Sequence, residues 1–157
     1  MDSERLQAFL VKAKRRTYAG LDDDATISAP LFPGSKQLEF SERELGYRDI
    51  YFGMAYFVGQ EVVTDNARAV WSMSYAGGAS RDIVDRSRLL AIYAFLRRAL
   101  LAISDDRPFR GPAQFEDGSF RYLNASQGDV ATFHGEEQIY RDGTKVYGLR
   151  YGGGIIR

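Results

Sequence analysis

One stretch of this chain is written twice. Residues 57–78 read FVGQEVVTDNARAVWSMSYAGG, and residues 133–154, 76 positions further on, read FHGEEQIYRDGTKVYGLRYGGG. Seven of the 22 aligned positions are identical: Phe57/Phe133, Gly59/Gly135, Glu61/Glu137, Val70/Val146, Tyr75/Tyr151, Gly77/Gly153 and Gly78/Gly154. Val63/Ile139, Trp71/Tyr147 and Met73/Leu149 are conservative pairs. Upstream, FPGSKQLEF at 32–40 parallels FRGPAQFED at 109–117 with an offset of 77, and FLVKA at 9–13 parallels FLRRA at 95–99 with an offset of 86. Three blocks in the same order predict a tandem duplication of one helix–three-strand (αβββ) unit. The copies span 5–78 and 88–154 inside a single domain, 1–157. The changing offsets fall in loops, where added length costs little. A period near 77 is too long for a solenoid, so two copies are expected to pair around a pseudo-twofold axis. The expected class is α+β, an antiparallel sheet with two helices packed on one face. One three-stranded unit alone would leave edges and an apolar face uncovered.

Local signals agree with this order. Leu6, Phe9, Leu10 and Ala13 make a helical stripe behind Ser3 as N-cap, and the helix is expected to end by Gly20. A second helix, about twenty residues long, is expected after Ser80 as cap. Trp71, Met73 and Tyr75 share one strand face, with Ser72 and Ser74 on the other. Turn signals stand at Asp65-Asn66-Ala67, Asp117-Gly118 and, most strongly, Asp142-Gly143.

Composition removes several function classes. Lys plus Arg is 21 and Asp plus Glu is 21, so no basic excess points to direct nucleic-acid binding. There is no cysteine, which excludes disulfides, thiolate chemistry and cysteine metal sites. The opening MDSERLQAFLVKAKRR lacks the apolar run of a signal peptide, and no segment has the ~18 uninterrupted apolar residues of a membrane span. A cytoplasmic protein without membrane partners, cofactor or metal is expected. Neither a Ser-His-Asp pattern, a Walker loop nor a dinucleotide fingerprint occurs.

The segments PGSKQLEF (33–40), YRDIYFG (47–53), GQEVV (59–63), PFRGP (108–112) and GEEQIY (135–140) resemble a prokaryotic domain-of-unknown-function family, number 5680. The resemblance covers essentially the whole chain. It implies a domain that stands alone or follows a helix-turn-helix domain in transcription regulators, and it implies no reaction, substrate or catalytic residue. Gln60 stands where an acidic residue is usual. The two copies use up the chain, so a regulator role would need a separate DNA-binding partner.

Glu61 and Glu137 are the sharpest site candidates. With unbroken strands, Phe57, Gly59, Glu61 and Val63 point one way, as do Phe133, Gly135, Glu137 and Ile139. A carboxylate on an apolar face is costly unless paired. Two of them near a twofold axis could bind a cation or divide acid and base roles. Alternatively, bulges at Gly59 and Gly135 return both to solvent, or each pairs with an arginine. Tyr47, Asp49 and Tyr51 share a face that could grip a small ligand, with Trp71, Tyr75 and Tyr147 as further walls. Arg110 either offers its fork to an anion or fixes its own loop. His134, the only histidine, reads as a surface residue, and Lys12 to Arg16 read as a solvated helix end. The leading functional expectation is a non-enzymatic module that senses a small molecule or mediates contacts. Its alternatives are a hydrolase or isomerase using Glu61 and Glu137, and a structural domain that homodimerises through open sheet edges.

Overall fold

The computed structural model describes residues 2–17 and 30–157. Gly20, the expected end of the first helix, lies outside them. Helix α1 (Ser3–Arg16) buries Leu6, Phe9, Leu10 and Ala13, the stripe expected from their spacing. Its N-cap is Asp2, whose side chain accepts from the Glu4 amide, so the cap falls one residue before Ser3. Helix α2 (Arg86–Leu101) has 16 residues and is capped by Asp85, which accepts from the Arg88 amide at 3.0 Å; Ser80 lies in the preceding loop.

Eight strands follow the chain: β1 (Lys36–Glu42), β2 (Leu45–Gly53), β3 (Tyr56–Asp65), β4 (Arg68–Ala79), β5 (Gln114–Asp117), β6 (Phe120–Asp129), β7 (Thr132–Arg141) and β8 (Thr144–Ile155). They form one antiparallel sheet in the order β1-β2-β3-β4-β8-β7-β6-β5. Each half therefore has four strands where three were expected. The extra ones are β1 and β5, split from their neighbours by tight turns. Arg43 makes the first of these turns at φ 56° with neither Gly nor Pro to announce it.

The halves meet at β4 and β8, where Tyr75 stands directly opposite Tyr151. The rows crossing the sheet correspond closely. One runs Tyr47, Val63, Trp71; its counterpart runs Tyr122, Ile139, Tyr147. The next runs Asp49, Glu61, Met73 against Asn124, Glu137, Leu149. The strand irregularities also correspond, falling between Val63 and Thr64 and between Ile139 and Tyr140. Neither Gly59 nor Gly135 makes a bulge, so the alternation through both glutamates is unbroken.

This register corrects one part of the repeat. Leu38 lies opposite Asp49, and the Asn124 amide bonds the Ala113 carbonyl at 2.9 Å, which equates residues 38 and 113. The strands β1 and β5 thus correspond at an offset of 75, not 77. The rings agree: Phe9 meets Phe40 at 5.8 Å, and Phe95 meets Phe115 at 5.7 Å. Buried side chains from both helices and from the inward rows form one hydrophobic cluster.

Candidate functional site

Two ion-paired carboxylates lie inside this cluster, one in each half. Glu137 on β7 is fully buried. Arg110, from the loop before β5, lays its fork on it, with Nε at 3.2 Å from Oε2 and a terminal nitrogen at 2.7 Å from Oε1. Tyr122 donates to Oε2 at 2.7 Å and Tyr147 to Oε1 at 2.8 Å. Both oxygens are doubly satisfied, which a buried carboxylate requires. Burial works against the Arg110 charge, yet the Glu137 carboxylate holds the guanidinium well above its ordinary range. Burial, then Glu137, pushes the Tyr122 phenol far up, so it remains a donor.

Glu61 on β3 occupies the corresponding place but is held differently. Its cation is Lys14, from the last turn of α1, with Nζ 2.7 Å from Oε2. That nitrogen also donates to the Phe109 carbonyl and lies 5.9 Å from the Trp71 ring centre. Oε2 thus has the Lys14 ammonium beside it and no second donor, where each oxygen of Glu137 has two. Burial lowers the Lys14 pKa, and Glu61 partly restores it. Tyr47, the counterpart of Tyr122, is pushed well up by burial first and by the Glu61 and Asp49 charges next.

Asp49 on β2 completes the row. Tyr75 donates to its Oδ1 at 2.6 Å, just as Tyr151 donates to Oδ1 of Asn124 at 2.7 Å. Glycine makes this reach possible. A Cβ on Gly59 would fall 2.3 Å from the Tyr75 hydroxyl, and one on Gly135 would fall 2.4 Å from Tyr151. The tyrosine rings therefore lie across bare backbone, which explains two of the paired identities. Burial, then the Glu61 charge, raises Asp49 from 3.8 to about 7. Tyr75, Arg110 and Lys14 pull in the other direction.

A cavity opens beside Asp49 and Glu61. Lys14, Thr17, Tyr47 and Arg110 complete its polar wall, and Leu100, Ile103 and Phe109 its apolar wall. It measures about 310 Å³ with its mouth, and its enclosed part is the size of a water molecule. Of the residues expected from sequence, Tyr47, Asp49, Glu61 and Arg110 line this space. Tyr75 stands behind Asp49 as its donor. Trp71 is fully buried, stacks on Phe133 at 5.7 Å and bonds the Val130 carbonyl at 3.1 Å. Tyr147 is spent on Glu137, and Tyr51 packs against Phe57 at 6.4 Å. Glu137 does not line the cavity, so the two glutamates do not share an accessible space. Arg110 grips a carboxylate of its own chain and not its loop carbonyls.

Lys14 lines the cavity although its sequence context points to solvent. Its basic neighbours mark a solvated helix end, yet it is buried. Its position four residues after Leu10, at the margin of the apolar stripe, is the available signal. His134 is exposed. Among the described residues no cluster of three or more His, Cys, Asp or Glu could hold a metal, and no helix is long and apolar enough to cross a membrane.

The chain belongs to the DUF5680 family, a domain of unknown function whose family model matches residues 49–156. That span includes Asp49, Glu61, Tyr75, Arg110 and Glu137. No curated protein and no solved structure matches the chain.

Proposed function

We propose that this chain is a small-molecule-binding module whose seat is the cavity beside Asp49 and Glu61. One observation carries the reading. A core that gives Glu137 four donor contacts leaves Glu61 Oε2 with the Lys14 ammonium alone, at the wall of an open space. A carboxylate oxygen accepts more than one hydrogen bond, and a ligand that brings a second donor would complete its set. The apolar wall of Leu100, Ile103 and Phe109 suits a short carbon skeleton. The correspondence of rows, tyrosines and ring pairs supports descent of the two halves from a duplicated unit with both helices on one face of its sheet. In the regulator setting that the family resemblance implies, occupancy would be read out by a DNA-binding domain.

A screen of small polar compounds by thermal unfolding tests the seat. A ligand at a hundred times its dissociation constant stabilises by about 2.7 kcal/mol. For a chain of this length that is a rise in Tm of about 5–10 °C. The rise should vanish in Ile103→Phe, which fills the space while remaining folded. If every active compound acts equally on that variant, the seat is elsewhere.

A catalytic reading draws on a different pair from the one expected. Asp49 and Glu61, not Glu61 and Glu137, share the cavity, and their environment raises Asp49 toward neutrality. Such a pair suits general acid–base work. Turnover of a bound compound, lost in Asp49→Asn while binding persists, would establish it. The open edges β1 and β5 favour a homodimer through strand pairing. Light scattering would then give twice the monomer mass, reduced by a lysine placed on the pairing edge.

A further inference from the structure

The buried charges do not balance. Among the described residues, the buried ionisable acids are Asp49, Glu61 and Glu137, and the buried bases are Lys14 and Arg110. Arg110 is matched to Glu137 and Lys14 to Glu61. Asp49 is left with a neutral partner, the Tyr75 hydroxyl. The other half has no such surplus, because its corresponding residue is Asn124. That neutral amide donates to the Gly111 carbonyl at 2.9 Å and accepts from Tyr151. Once Asp49 is ionised, the first half thus lacks one positive charge, and the place where it lacks it is the wall of the cavity.

We infer that the seat takes a primary ammonium group, inserted with its charge toward Asp49 and Glu61. This rests on the binding reading above and names its ligand class. The inner space admits a water-sized group, which matches an ammonium head and excludes a quaternary one. An ammonium brings three donors, and Glu61 Oε2 has room for one beside Lys14. The Lys14 charge is already neutralised by Glu61, so the incoming cation pairs with Asp49. An anion would add to the Asp49 charge, because the two cations of the wall, Lys14 and Arg110, are already matched to Glu61 and Glu137. A neutral hydroxyl would supply a donor but leave the charge deficit in place. The carbon tail of the ammonium would run along Leu100, Ile103 and Phe109 toward the mouth.

Binding must then displace the proton that Asp49 otherwise holds. The groups that face Asp49 are Glu61 from β3, Tyr75 from β4, Arg110 from the loop before β5 and Lys14 from α1. With a half-point near 7, Asp49 is ionised in about 3% of molecules at about pH 5.5 and in about 90% at about pH 8. The apparent affinity for an ammonium should therefore rise about 30-fold between these two pH values.

The test uses the full chain, followed by NMR of its backbone amides. Ethylammonium chloride is the probe, with ethanol and tetramethylammonium chloride as controls. Ethylammonium should shift the signals of Lys14, Asp49, Glu61 and Ile103, about 30-fold more tightly at the higher pH, and tetramethylammonium should not. In Asp49→Asn the pH dependence should disappear and the affinity at high pH should fall. The inference is overturned if ethylammonium leaves these signals unmoved, binds equally at both pH values, or keeps its pH dependence in Asp49→Asn. If ethanol moves the same signals and ethylammonium does not, the ammonium assignment falls while the binding seat stands. If compounds from the screen bind elsewhere and neither probe moves these signals, both fall.

Discussion

Replacing Asp49 by Asn should make the protein more stable, and more so at high pH. The substitution is the one that the other half already carries at Asn124, where the amide oxygen accepts from Tyr151 as Asp49 accepts from Tyr75. The folded chain holds the Asp49 proton up to about pH 7, and the unfolded chain releases it near 3.8. Between those values the folded state binds more protons than the unfolded state, so stability falls as pH rises. The contribution is fully present below 3.8 and fully lost above about 7. A gap of about 3 pK units at about 1.4 kcal/mol each makes roughly 4 kcal/mol in all. From about pH 5 to about pH 8 the share lost is about 3 kcal/mol. The amide that replaces the carboxyl has no proton to lose. Urea unfolding of both proteins at these two pH values should therefore show the advantage of Asp49→Asn growing by about 3 kcal/mol. An advantage that stays constant to within about 0.5 kcal/mol would refute the idea that burial keeps Asp49 protonated. A variant less stable at both pH values would refute the predicted gain in stability.

Arg110→Met should cost about 3–5 kcal/mol in urea unfolding, because it strands the Glu137 carboxylate in the core. Removing both partners, in Arg110→Met with Glu137→Gln, should cost less than the sum of the single changes. Gly59→Ala and Gly135→Ala should each lose about 2–4 kcal/mol, since the new methyl drives Tyr75 or Tyr151 off its hydrogen bond. Thermal melts check this, and a loss below about 0.5 kcal/mol would mean that the ring finds another path. His134→Ala, at an exposed position, should change stability by less than about 0.5 kcal/mol.

Much of the frame was legible because strand parity is rigid. Gly59 separates Phe57 from Glu61 by an unbroken period of two, so the glutamate had to face the way the phenylalanine faces. The same parity grouped Tyr47 with Asp49. What parity cannot supply is the partner. Tyr75 meets Asp49 only because two registers, β2 on β3 and β3 on β4, place them in adjacent rows. The cations were less legible still. Lys14 sits in a run of basic residues at a helix end, where solvation is the ordinary outcome, and Arg110 lies in a loop with no periodicity at all. The slip of two residues at β1 and β5 has a similar origin. Phenylalanine, glutamine and glutamate recur there at short intervals, so the letters align in one frame and the hydrogen bonds in another.

The two halves put the same carboxylate to different uses, and the identity of the cation is what separates them. An arginine fork offers two parallel donors in a fixed plane, and with two tyrosine hydroxyls it gives each oxygen of Glu137 two donors. A lysine offers a point charge on a flexible stem, so it can neutralise Glu61 without occupying every acceptor. Asn in one half and Asp in the other makes the same distinction at the next strand, with a closed amide network on one side and a titratable group beside a cavity on the other. A core that needed only stability would gain nothing from Asp49, because the asparagine already present at its counterpart makes the same tyrosine contact without the charge.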